Sequence, residues 1–450
     1  MGGNESCTAN LDRLATIQAG LDHGHGGDYG EYEGSGKQYT DSTFEGTHAL
    51  YWPSFLSDAG MANLYNRQVT GWARPSELED QPSLWGSKGI QPTGVRQGQL
   101  GDCWFLAAAA AIAEKPERIE RIFTNHEYSA EGVFDMTFSH MGQKVTMVVD
   151  DRLPITEGKD RRYTNFGVKS AVNARPSANG AWWVPLLEKA YSKFNQSYSN
   201  MDGGQPEQAL RELTGMPVRS YDSQRQSDSD FFNVVRDADV KNYVMTANCH
   251  NKHASLITGH AYTMLGAIQL SNGVKLIRMR NPWGSEKYTG PYNDNDAVWT
   301  PALKAEVART HGTHAWGDDG AFYLPVSDFK RAFTTYAVLL YKDDRRRGEG
   351  WHTEQFTESV TGQRHWYTFT SEVDQDLLIT LDYQNNRQTA AGCRGPNVYY
   401  NMYTLTSRNG MVEGPTAVSG QTGNGMQELQ VKAGTPLNFL VINWGDSGAQ

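Results

Sequence analysis

The spacing of apolar residues changes along this chain, and each change predicts an element. A glycine-punctuated lead-in, Gln97-Gly98-Gln99-Leu100-Gly101-Asp102, stops at Cys103. The run behind it (Trp104, Phe105, Leu106, five alanines, Ile112, Ala113, Glu114) is rich in strong helix formers, so a helix should start at Cys103. Two later apolar runs, 256–264 and 277–284, read as strands joined through a turn at Ser271-Asn272-Gly273, a pairing that brings His260 and Asn281 side by side. A strand pair over 132–152, a helix around 186–194 and strand-like runs at 240–247 and 337–341 surround these pieces.

At the ends the pattern differs. Residues 1–45 hold little periodic hydrophobicity and read as a flexible leader. The charged stretch 343–350 marks a second boundary. Beyond it, short, partly alternating runs (366–370, 377–383, 398–405, 437–443) with glycine-rich connections predict an all-β sandwich over 343–450. The middle divides into 46–199, which carries Cys103, and 200–342, which carries His260 and Asn281.

Composition narrows the class of protein. With 450 residues, 38% of them hydrophobic and 12 of them tryptophan, the chain can bury a sizeable core without disulfide support. A formal charge of -10 and the lack of a long Lys/Arg run exclude a nucleic-acid partner. Four scattered cysteines (Cys7, Cys103, Cys249, Cys393) point to a reducing, intracellular, cytoplasmic setting. No run approaches the ~18 apolar residues of a transmembrane segment. The start, Met-Gly-Gly-Asn-Glu-Ser, lacks a secretory signal but fits the pattern for myristoylation of Gly2, with Cys7 as a second lipid site; two acyl chains would give membrane association. His23 and His25, and Cys249-His250 with His253, lack the spacing of a metal site.

A cysteine at a helix start is a candidate nucleophile, because the free N–H groups and the macrodipole there stabilise a thiolate and depress its pKa. A small buried residue opening a core helix is the plainer alternative. Histidine and asparagine follow the cysteine in chain order, as in papain-like thiol proteases. The elements around Gln97 to Leu106, Gly259 to Thr263 and Arg280 to Gly284 resemble the calpain family of cysteine proteases, and so do the blocks at 148–154, 183–191 and 318–322. The resemblance covers roughly residues 45 to 342.

That resemblance implies an α+β fold: a papain-like two-lobed protease core, followed by an all-β sandwich similar to a C2 domain. It also implies an intracellular endopeptidase acting on protein substrates, with Cys103 as nucleophile, His260 as base and Asn281 orienting the imidazole. Gln97 would join the Cys103 backbone N–H in the oxyanion hole, and Trp283 would shield the His/Asn hydrogen bond. No EF-hand loop occurs in the chain, so a penta-EF-hand domain for small-subunit pairing is not expected.

Conventional calpains bind calcium in each half of the core. Here Gly94 and Ser199 stand where the first site has acids, and Lys287 and Ala321 replace acids of the second, leaving Asp294 and Asp319 as a degraded metal site. No cofactor is therefore expected to be required, with the Lys287 ammonium lying between Asp294 and Asp319 in place of the ion. The competing reading is a noncatalytic scaffold directed to membrane or cytoskeleton by its sandwich or lipidated tail. Transglutaminase-type acyl transfer shares the thiol but not the motif context.

Overall fold

The structure, a computed structural model, describes residues 31–32, 34–50, 69–140, 142–157, 169–312, 314–342, 364–381, 400–408, 411–413, 418–420 and 425–443. Gly2, Cys7, the charged stretch 343–350 and Cys393 lie outside the described residues.

Strand β1 (Gly71–Ala73) precedes helix α1 (Cys103–Ile112), which starts at the cysteine as the sequence predicts. The predicted strand pair follows as the hairpin β2 (Val133–His140) and β3 (Gln143–Asp150). Strands β4 (Leu153–Glu157) and β5 (Lys169–Ala171) complete a three-stranded sheet with β1, before helices α2 (Trp183–Phe194) and α3 (Pro206–Thr214). Buried Lys189 of α2 pairs with buried Asp150 of β3 and donates to the Arg152 carbonyl at 2.7 Å. That helix is thereby tied to the end of the hairpin.

The second half contains β6 (Val218–Asp222), α4 (Asp228–Val240), β7 (Val244–Cys249), β8 (His260–Gln269) and β9 (Lys275–Arg280). It closes with α5 (Pro301–His311), β10 (Ala321–Pro325), α6 (Val326–Ala332) and β11 (Phe333–Leu339). The strands form one antiparallel sheet in the order β10-β9-β8-β7-β11-β6. Val240, expected to open a strand, instead ends α4. The helix is capped by the Ser227 hydroxyl and buries Phe231, Phe232, Val235 and Ala238 along one face, a period that only a helix satisfies.

Helix α1 is buried on all sides from Trp104 to Ile112, as a helix apolar all round must be. Its core includes Leu186 and Leu187 of α2 and, from the six-stranded sheet, Val244, Ala261 and Ala337. The run of alanines lets the sheet approach closely: the Thr263 hydroxyl of β8 donates to the Ala107 carbonyl at 2.7 Å. Each Leu, Ile or Phe fully buried here contributes about 1.5–3 kcal/mol relative to exposure.

After residue 363 the described segments are strands, as the alternation predicts. These are β12 (Arg364–Phe369), β13 (Gln375–Leu381), β14 (Tyr400–Arg408), β15 (Met411–Glu413), β16 (Val418–Gly420), β17 (Gly425–Val431) and β18 (Leu437–Asn443). They pair antiparallel in the order β12-β18-β14-β15, with β16 also on β14 and β13 on β17. No helix among the described residues is long and apolar enough to cross a membrane.

Candidate active site

The β8–β9 hairpin turns at residues 270–274, where Gly273 takes a φ of 88° and its N–H donates to the Leu270 carbonyl at 2.8 Å. His260 opens β8 and Asn281 follows directly on β9, so the antiparallel register places the two at one end of the sheet. His260 Nε2 and Asn281 Oδ1 are 2.9 Å apart. The Asn281 amide is oriented by two further bonds: Nδ2 donates to the Ser285 carbonyl at 3.0 Å, and Oδ1 accepts from the Trp283 N–H at 3.1 Å. With Oδ1 facing the ring, Nε2 carries the imidazole proton and Nδ1 keeps the lone pair.

Trp283 lies against the imidazole, ring centroids 4.9 Å apart, and is 40% exposed where Asn281 is fully buried. Cys103, a free thiol, and His260 line one cleft of about 880 Å³ together with Gln97, Trp283, the Gly203-Gly204 pair and Lys287. The lead-in that carries Gln97 is fixed from both sides. Its N–H donates to the Pro282 carbonyl at 2.9 Å, Gln99 N–H donates to Val172 at 2.9 Å, and a Cβ on Gly98 would fall 1.7 Å from the Asn173 carbonyl. Gln97 Nε2 donates to the Leu100 carbonyl at 2.7 Å.

The ionisation of Cys103 departs from expectation. Burial pushes the thiol up to about 11, and the nearby Asp102 and Asp202 carboxylates add to it, while the backbones of Ala261 and Trp104 offset only part. The helix start is real, but desolvation outweighs it. Burial also lowers His260 to about 4, against the opposing effect of its bond to Asn281. Both shifts favour the uncharged forms, thiol and neutral imidazole.

Sequence reading missed Arg280, a residue of the same motif. It is fully buried and donates through one guanidinium nitrogen to the Val95 carbonyl at 2.7 Å and the Thr93 carbonyl at 3.3 Å. Residues 280–282 and 93–97 are therefore stitched together across the two halves. A charged residue inside an apolar strand gives no sequence signal of such a tether.

The expected placement of the Lys287 ammonium between Asp294 and Asp319 is not found. Lys287 is exposed at the cleft and makes no ion pair among the described residues. Asp294 instead accepts from His314 Nε2 at 2.8 Å, both side chains being buried. Asp319 accepts from the Ala321 N–H at 2.8 Å. Crowding raises Glu286 to about 7, through burial first and then the charges of Asp294, Asp318 and Asp319. No three His, Cys, Asp or Glu side chains among the described residues converge to hold a metal ion, and Gly94 and Ser199 supply no carboxylate to the other half.

Residues 39–339 match the family described as calpain family cysteine protease. The calpain-2 catalytic subunit of Bos taurus is 28% identical over 373 residues, which are 76% of this chain and 51% of that protein. Calpain-9 of Mus musculus is 30% identical over 301 residues (64% of this chain, 41% of that protein), and calpain-12 of Homo sapiens 31% over 305 residues (63% and 40%). This chain spans about half the length of these relatives or less. With two thirds of its sequence inside that match, the chain belongs to the calpain family of cysteine proteases.

Proposed function

We propose that this chain is a cysteine endopeptidase that hydrolyses peptide bonds of proteins lying extended in the cleft, through Cys103, His260 and Asn281, with no calcium requirement. The observation that carries the reading is the His260–Asn281 bond, which leaves Nδ1 as the free base in a cleft shared with the Cys103 thiol. In the reaction Nδ1 takes the thiol proton as Sγ attacks the scissile carbonyl carbon. The oxyanion that forms is met by the Cys103 backbone N–H and the second N–H of Gln97 Nε2. The imidazolium then gives its proton to the leaving amine as the C–N bond breaks. Water, deprotonated by His260, hydrolyses the thioester and restores the thiol. Trp283 keeps water from the His260–Asn281 bond, which is stronger in the lower dielectric.

Casein cleavage by the purified chain tests this. Wild type should cleave it and Cys103→Ala should not; a folded wild type that leaves casein intact would favour the noncatalytic scaffold.

A further inference from the structure

The wall of the cleft beyond Trp283 is built from a segment whose side chains alternate in direction. Ser285 and Lys287 line the cleft. Glu286 between them is turned the other way: its N–H donates to Asp318 Oδ1 at 2.6 Å, and its Oε1 accepts from the Asp294 N–H at 3.4 Å. Tyr288 is buried, stacked on Phe322 with ring centroids 5.5 Å apart, and donates to Asp328 Oδ2 at 2.7 Å. That period of two is the one an extended chain imposes. The backbone is held at both ends, because the Ser285 carbonyl accepts from Asn281 Nδ2 at 3.0 Å and the Thr289 N–H donates to the Ala254 carbonyl at 3.0 Å. Lys287 thus presents its side chain to the cleft from an anchored backbone.

Charge in the cleft is sparse. Among the described lining residues Lys287 is the one lysine or arginine and Asp202 the one carboxylate. Asp202 belongs to the cysteine side, where the Gly203 N–H beside it donates to the Gly101 carbonyl at 2.8 Å. Glu286, Asp294, Asp318 and Asp319 do not line the cleft, and Lys287 pairs with none of them.

Which end of a substrate meets Lys287 follows from the proposed chemistry, on which this inference rests. The acyl half of the peptide stays with Cys103, whereas the leaving amine takes its proton from His260. Trp283 packs against the His260 ring, and the chain continues from there to Lys287. The leaving-amine half therefore runs along residues 283–287, a wall that spans at most about 14 Å, the length of roughly four extended residues.

We propose that Lys287 is a specificity-determining residue of this cleft, selecting protein segments that carry Asp or Glu within roughly the first four residues on the leaving-amine side. An acid there gains the ammonium as a partner at a small cost in hydration, because the wall is open to solvent; a lysine or arginine there meets like charge.

The test is cut-site profiling. A mixed peptide library is exposed to the full chain, to Lys287→Gln and to Lys287→Glu, and the new ends are read by mass spectrometry. With wild type, Asp and Glu should be enriched about two- to fivefold on the leaving-amine side, and the enrichment should fade at high salt. It should vanish in Lys287→Gln and give way to Lys and Arg in Lys287→Glu. No acid enrichment in wild type, or the same preference in all these chains, would overturn the proposal and leave the endopeptidase reading in place. If wild type cuts nothing, that reading fails instead, and binding to the Cys103→Ala chain decides. By fluorescence anisotropy, an alanine-based peptide with glutamates in its C-terminal half should bind more tightly than its glutamine counterpart, and lose that advantage once Lys287→Glu is added. An equal advantage with and without Lys287→Glu contradicts the role given to Lys287.

Discussion

At the scale of single residues, the account turns on which groups carry protons. Burial lowers His260 to about 4 and Nε2 faces Asn281 Oδ1, so under the proposed function it acts as a base and not as half of a standing ion pair. His260→Ala should lower kcat/KM by about 10²–10⁴-fold. Asn281→Ala, which loses only the orienting amide, should cost less. Wild-type rates in both variants would sink the triad. The sign of the pH effect follows from the same burial. Protonation of His260 removes the base, and its pKa near 4 places that loss below the ordinary 6.5, so the acid limb of kcat/KM should have a midpoint well under 6.5. A midpoint at or above that value would show that the imidazole is not desolvated as described. The helix start at Cys103 and the meeting of His260 with Asn281 were legible in sequence because their neighbours form compact motifs. The direction of the Cys103 shift was not, since a helix start is visible in a sequence but the degree of desolvation around it is not. Asp294 likewise kept its partner hidden: His314 lies 20 positions away and outside any motif.

Among the elements, the hairpin and the lead-in do most to align the chemistry. The β8–β9 pair was readable from two apolar runs and an Asn-Gly turn, and with it the meeting of His260 and Asn281. The boundary near Val240 was misplaced because a stretch of apolar residues does not reveal whether its period continues that of the preceding helix. The lead-in depends on close backbone approach, which only a missing side chain permits at Gly98. Gly98→Ala should therefore force Gln97 and the Cys103 helix start apart from residues 172–173, destabilising the fold by about 1–3 kcal/mol. Activity should fall with it. Thermal melting and casein cleavage of the variant check this, and an unchanged melting temperature would mean that the segment yields without cost.

For the molecule as a whole, the tethers at Val95–Arg280 and Gln97–Pro282 join the two halves. Asp294 is hydrogen-bonded to His314 of its own half at 2.8 Å. Cleavage should accordingly proceed equally in EGTA and in millimolar calcium, and strict calcium dependence would refute that part of the proposal. The central claim is that turnover passes through a thioester on Cys103, and acid-quenched single-turnover mass spectrometry tests it most directly. With a peptide ester substrate, the account predicts a transient acyl mass on the Cys103 peptide that disappears as product is released. Substrate cleaved without an adduct at Cys103, or with the adduct on another residue, would contradict it.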